Sequence, residues 1–157
     1  MDTSNLKHHY SQQFNSELED IRSRVLGMGG LVERQLELAI ASLGDSENAL
    51  AESVVYNDQD VNACDMDIDE RCTKILALRH PTASDLRLVL AVIKTTADLE
   101  RIGDEAGRIA RQAITLSEQS AANAAQSFIN KLAGSVTVRL RGALDAFARG
   151  DAEAALG

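Results

Sequence analysis

Leu18, Ile21, Val25, Met28, Val32, Leu36, Ala39 and Leu43 fall three or four residues apart, with no proline among them. Only a helix gathers residues at those intervals onto one side, where they form a stripe that must be buried. A second series, Val54, Val61, Ile68 and Ile75, recurs every seven residues. The chain's one proline, Pro81, follows it and disfavours helical geometry in the residue before it. These intervals predict helices over Phe14 to Leu43, Glu47 to Leu78, Asp85 to Glu118 and Asn123 to Arg149. Gly44-Asp45-Ser46 would end the first helix and cap the second, and Thr82 or Ser84 would cap the third. Gly27, Gly29 and Gly30 sit inside the first helix, each costing up to about 1 kcal/mol against Ala, and mark a close helix crossing or a kink. With connections this short, successive helices pack antiparallel, so the fold class is an all-α antiparallel helical bundle.

The 157 residues suffice for a single buried core, and two Tyr, three Phe and no Trp leave that core aliphatic. A net charge of -8 argues against a nucleic-acid partner, since little would neutralise phosphates. No apolar run is long enough to span a membrane, and no run of bases suggests a lipid anchor. The N-terminus lacks the apolar core of a signal peptide, so the expected location is the cytoplasm. Cys64 and Cys72 lie about 12 Å apart along one predicted helix, too far for a disulfide between them, and read as reduced, half-buried thiols.

An internal repeat adds a boundary. Ala39-Ile-Ala-Ser-Leu43 and the Gly44-Asp45-Ser-Glu-Asn-Ala-Leu50 after it resemble Ala143-Leu-Asp-Ala-Phe147 and Gly150-Asp151-Ala-Glu-Ala-Ala-Leu156, with a two-residue slip. The separation is that of one three-helix unit. Residues 1–118 then form a complete unit, and 119–157 hold the first helix of an incomplete second one. The fourth helix, with Phe128, Leu132, Val136, Leu140, Leu144 and Phe147, would lack partners for its apolar face. Such a stripe predicts oligomerisation, domain exchange or a soft C-terminal region.

Asp65-Met-Asp-Ile-Asp69 and Glu100-Arg-Ile-Gly-Asp104 each hold two carboxylates four apart, on one face of a helix. Like charges so placed cost an isolated helix about 0.2–0.5 kcal/mol per pair. Counting outward from Pro81 puts Asp65 opposite Leu99 or Glu100, with Asp60 near Asp104, and Asp58 and Asn62 extend the strip. Gly103 and Gly107 would leave this face sterically open. Two readings stand at this point. The face is solvated and balanced by Arg101–Glu105 and Asp104–Arg108 pairs, or it holds a hard cation. A donor set of oxygens alone suits Mg, Ca, Mn or oxidised iron over copper or zinc. Catalysis fares worse. His8, His9 and His80 do not follow a Glu by three on these helices, and no nucleophile elbow, Walker loop or dinucleotide fingerprint occurs.

The stretch Arg79-His-Pro-Thr-Ala-Ser-Asp-Leu-Arg87, with Leu99-Glu-Arg-Ile-Gly-Asp104 and the weaker Phe14-Asn-Ser-Glu-Leu-Glu19, Met28-Gly-Gly-Leu-Val-Glu33 and Asp69-Glu70, resembles the PhoU family. The resemblance implies tandem three-helix bundles, each with a Glu/Asp-x-x-x-Asp pair able to bind surface metal clusters. It implies Asp65, Asp69, Glu100 and Asp104 as metal ligands, with a divalent or trivalent ion (Mg, Mn or Fe) as cofactor. It further implies a negative regulator of phosphate uptake and phosphate-starvation signalling, acting by contact with the phosphate ABC transporter and its sensor histidine kinase. Such a protein meets the membrane only through those partners, forms homodimers or other homo-oligomers, and is not an enzyme. The alternative from another class is a metal-dependent hydrolase or oxidase on a helical bundle. The second bundle's own Glu-Arg-Ile-Gly-Asp-like line does not occur before Gly157.

Overall fold

The structure, a computed structural model, describes residues 3–44, 48–118 and 126–156. Four helices account for nearly all of it: α1 (Thr3–Ser42), α2 (Ala49–Arg79), α3 (Ala83–Glu118) and α4 (Gln126–Arg149), followed by a short 3-10 turn, Ala154–Leu156. Among the described residues there is no strand, and no helix is long and apolar enough to cross a membrane. The expected caps at Asp45 and Ser46, the start of the fourth helix at Asn123 and the side chain of Phe128 lie outside the described residues.

Helices α1, α2 and α3 form an up-down-up bundle. The α1 stripe from Leu18 to Ala39, the heptad series of α2, and Val89, Val92, Leu99, Ala106, Ala110 and Ala113 of α3 make one core. The first two sets are those the spacing selected. On α3 the central stripe is completed by Val89, Val92 and Thr96, while Ile102 and Ile109 are only partly buried. Thr96 is satisfied there by donating its hydroxyl to the Val92 carbonyl at 2.9 Å. Ile102 and Ile109 instead line the groove between α3 and α4.

The turn after α2 is main-chain work. His80 closes the helix in the left-handed region (φ 48°), and the Thr82 carbonyl accepts the amides of Asp85 at 2.8 Å and Leu86 at 3.2 Å. At the other end of this hairpin Ser117 donates its hydroxyl to the side-chain oxygen of Asn48 at 2.8 Å, tying the start of α2 to the end of α3. Ions stitch α1 to α2. Arg24 and Arg71 each bridge both Asp20 and Asp67 at 2.7–3.0 Å, and Arg79 pairs with Glu17.

Helix α4 runs antiparallel along the outside of α1. Arg141 pairs with Glu33 and Glu37, and Arg22 donates to the Ala148 carbonyl at 3.1 Å. Gly29 resolves the question its sequence posed: a Cβ there would lie 2.5 Å from Leu144 Cδ2, so it marks a close crossing, whereas Gly27 and Gly30 face open space. Leu140 and Ala146 are buried, while Leu132 and Val136 remain 57% and 41% exposed. Helix α4 stands off from α3, leaving two apolar grooves between them. One, of about 890 Å³, is lined by Ile40, Ile102, Ile109, Leu132 and Val136. The other, of about 620 Å³, is lined by Leu88, Leu99, Leu140, Leu144 and Phe147.

Candidate metal centre

The antiparallel pairing of α2 with α3 decides which carboxylates meet. Val61 lies against Gly103, and the Asn48–Ser117 bond fixes the same register one end away. That register sets Asp65 opposite Glu100, as the count from Pro81 anticipated. Asp65, Glu100 and Asp104 are half-buried and Asp69 is exposed. Burial first, then the charge of Asp69, raises the Asp65 carboxyl above the ordinary aspartate value. Glu100 is raised by burial, then by Asp104 and Asp65, and more weakly by Asp58, with Arg101 opposing. Four carboxylates on two helices therefore share one electrostatic neighbourhood, and Asp58 belongs to its fringe.

The arginines do not neutralise this face in the way the spacing suggested. Arg101 reaches Asp98 at 3.9 Å and Arg108 reaches Glu105 at 2.6 Å, both three residues back, so neither takes the expected four-residue partner. Arg101 still acts on Glu100 through its charge, lowering it against the larger effects of burial, Asp104 and Asp65.

The glycines also act differently from the expectation of an open face. Gly103 is buried, and a Cβ on it would stand 3.2 Å from Val61 Cγ1 and 3.4 Å from Gln35 Oε1. It permits the close approach of α2 and α3 beneath the carboxylates. Gly107 is likewise buried, and a Cβ on it would stand 3.4 Å from the Arg111 guanidinium. Gln35 went unnoticed in the sequence although it interrupts an apolar stripe. Its amide donates to the Asn57 carbonyl at 2.9 Å, and its buried Oε1 has no hydrogen-bond partner among the described residues.

Among the described residues no three His, Cys, Asp or Glu side chains converge tightly enough to form a metal-binding group as they stand. The donor chemistry nonetheless fits a hard cation. Only carboxylate oxygens line the face, and the nearby Cys72 thiol is pushed up to about 11 by burial, with Asp69 adding to it, so it stays protonated at neutral pH. Cys64 is raised by burial in the same way.

Comparison with known proteins places this architecture. Residues 25–113 match the PhoU domain. The chain is 48% identical over 151 residues to a phosphate-specific transport system accessory protein PhoU homolog from Pseudomonas aeruginosa, covering 96% of this chain and 62% of that protein. Against the accessory protein PhoU of Escherichia coli K12 it is 46% identical over 156 residues, covering 99% of this chain and 64% of that one. The chain thus spans a little under two thirds of these relatives' length. The crystal structure of PhoU from Pseudomonas aeruginosa superposes with a TM-score of 0.87 at 47% identity, over 91% of this chain and 68% of that chain. The phosphate transport system regulatory protein PhoU from Streptococcus pneumoniae gives 0.82 at 29% identity, over 91% and 67%. A three-helix core, its hairpin register and a sequence match covering all but the edges of that core lead to one assignment: the chain belongs to the PhoU family.

Proposed function

We propose that this chain is a negative regulator of phosphate uptake and phosphate-starvation signalling. It acts at the cytoplasmic side of the membrane by contact with the phosphate ABC transporter and its sensor histidine kinase, and it catalyses no reaction. The observation that carries this reading is the 48% identity to a phosphate transport accessory protein, sustained over 96% of the chain. Contact in place of turnover accords with a face rich in carboxylates and free of imidazole or thiolate.

Asp65, Asp69, Glu100 and Asp104 would hold a divalent or trivalent cation such as Mg, Mn or Fe. When bound, the ion supplies positive charge that offsets the mutual repulsion of these groups. The chain's own residues do the rest: Gly103 lets α2 approach α3, and the Asn48–Ser117 bond holds the register that sets Asp65 opposite Glu100. Helix α4, whose Ala143–Phe147 end echoes Ala39–Leu43 of α1, would be the first helix of a second unit of the same kind. Its exposed Leu132 and Val136 support self-association as a homodimer.

The test is complementation in a bacterium lacking its own PhoU, read as alkaline phosphatase activity in phosphate-replete medium. Restored repression is the expected result. Full derepression with the protein present and folded would refute the regulatory reading.

A further inference from the structure

We infer that the exposed stripe of α3 formed by Leu86, Arg87, Leu90 and Lys94 is a docking surface for an acidic amphipathic helix of a partner protein. The inference rests on the contact-based reading above and supplies the chemistry of one contact.

The stripe is unexplained by the fold. Val89, Val92 and Thr96 fill the core, and Leu88, Ala91 and Thr95 line the groove beside α4. Leu86 and Leu90 do neither, and are 38% and 45% exposed. One turn apart, they make an apolar ridge on the outer side of the hairpin. Arg87 and Lys94 line one side of the ridge, both exposed and one heptad apart, about 10.5 Å along the axis.

Neither cation is engaged in an ion pair among the described residues. Arg87 has no acid three or four residues away on its helix in either direction. The one acid so placed for Lys94 is Asp98, which turns to Arg101 at 3.9 Å. Farther along the same heptad line the pattern changes, because Arg108 is paired with Glu105. Unpaired charge is thus confined to the part of the line that also exposes leucine.

Two leucines with two cations along one side fit a helix carrying two carboxylates one heptad apart beside an apolar ridge, the arrangement by which flanking charges select helix partners. An anionic membrane fits poorly. Lipid anchoring by charge takes about four to eight bases, and the chain carries a net charge of -8 with Asp65 and Glu100 on the same hairpin. A second copy fits poorly too, since two such stripes laid antiparallel would oppose cation to cation.

The test uses two synthetic helical peptides of identical length that carry Leu at ridge positions, one with Glu and the other with Lys one heptad apart. Amide chemical shifts of the isotope-labelled chain are followed during titration. The Glu peptide is expected to bind, weaken with salt, and perturb residues 83–97. Arg87→Glu/Lys94→Glu should weaken it about tenfold and reverse the preference toward the Lys peptide. Equal binding of both peptides, perturbation centred elsewhere, or an unaffected double variant would overturn the surface. So would binding to phosphatidylglycerol vesicles, or concentration-dependent self-association, that the double variant abolishes. Peptide recognition persisting in a chain that fails to restore repression would sink the regulatory reading and leave the surface standing.

Discussion

Gly103 of α3 rests on Val61 of α2, with room for a Cβ only 3.2 Å from the valine Cγ1. Val61 is buried and stiff about its first side-chain torsion, so it yields poorly to an added methyl. Alanine gains about 1 kcal/mol of helix propensity over glycine, and overpacking costs about 1–3 kcal/mol. Gly103→Ala is therefore expected to destabilise by about 1 kcal/mol, read by urea denaturation. Adding Val61→Ala removes the clash, so the double mutant should be more stable than the sum of single effects by at least about 0.5 kcal/mol. Strict additivity would show that the two residues do not limit the approach of α2 to α3.

The facing carboxylates give a pH dependence with a definite sign. Asp65 and Glu100 are raised in the fold, mainly by burial. Between the unfolded values of about 3.9 and 4.3 and the raised ones, the folded state binds more protons than the unfolded state. Stability contributed by these groups is present at acid pH and falls as pH rises through that window. In metal-free protein at neutral pH, Asp65→Asn/Glu100→Gln should raise the melting temperature by about 2 °C, from relief of like-charge pairs. Manganese should raise the melting temperature of the wild-type chain and leave the variant unmoved. A wild-type chain equally indifferent to Mg, Mn and Fe would remove the case for the metal site.

Much of this was legible in the sequence, and the gaps have physical causes. The stripes on α1 and α2 follow from period alone, and the Asp65–Glu100 register follows from Pro81, because a tight hairpin leaves little freedom of pairing. The start of α1 did not follow. It begins at Thr3, well before Phe14, because extending a formed helix through polar residues requires no apolar signal. The roles of Gly29 and Gly103 were hidden for another reason: a glycine's use depends on which side chain lies opposite. The same holds for α4, whose period announces an apolar face without naming α1 as its neighbour.

The α1–α2 ion network has the opposite sign to the carboxylate face. Asp67 is held below the usual carboxylate range by its bond from Arg71, assisted by Arg24 against the effect of burial. Glu17 is lowered likewise by Arg79. Groups with depressed values stabilise above the unfolded value and lose that contribution as pH falls through the folded one. These pairs are partly solvated, so Asp67→Asn should cost no more than about 1 kcal/mol near neutral pH. The difference between wild type and variant should shrink below about pH 3.9 and vanish once Asp67 is protonated in both states. Urea melts across that range check it, and a gap that widens in acid would contradict the assigned sign.

Helix α4 is attached more weakly than the three helices it accompanies. Its contacts include Leu144 over Gly29, the buried Leu140 and Ala146, the bond from Arg22 to the Ala148 carbonyl, and the bridges from Arg141 to Glu33 and Glu37, while its face toward α3 is separated by open grooves. A segment held by few buried contacts opens locally before the whole unfolds. Amide hydrogen exchange should therefore be faster in α4 than in the interior of α1, α2 or α3. Gly29→Ala places a methyl where Leu144 lies and should speed exchange in α4 by about tenfold or more, with little change in the interior of α2 and α3. Arg141→Ala, which removes only exposed ion pairs, should produce a smaller acceleration of the same kind. Uniform acceleration through all four helices after Gly29→Ala would mean instead that α4 and the bundle unfold as one cooperative unit.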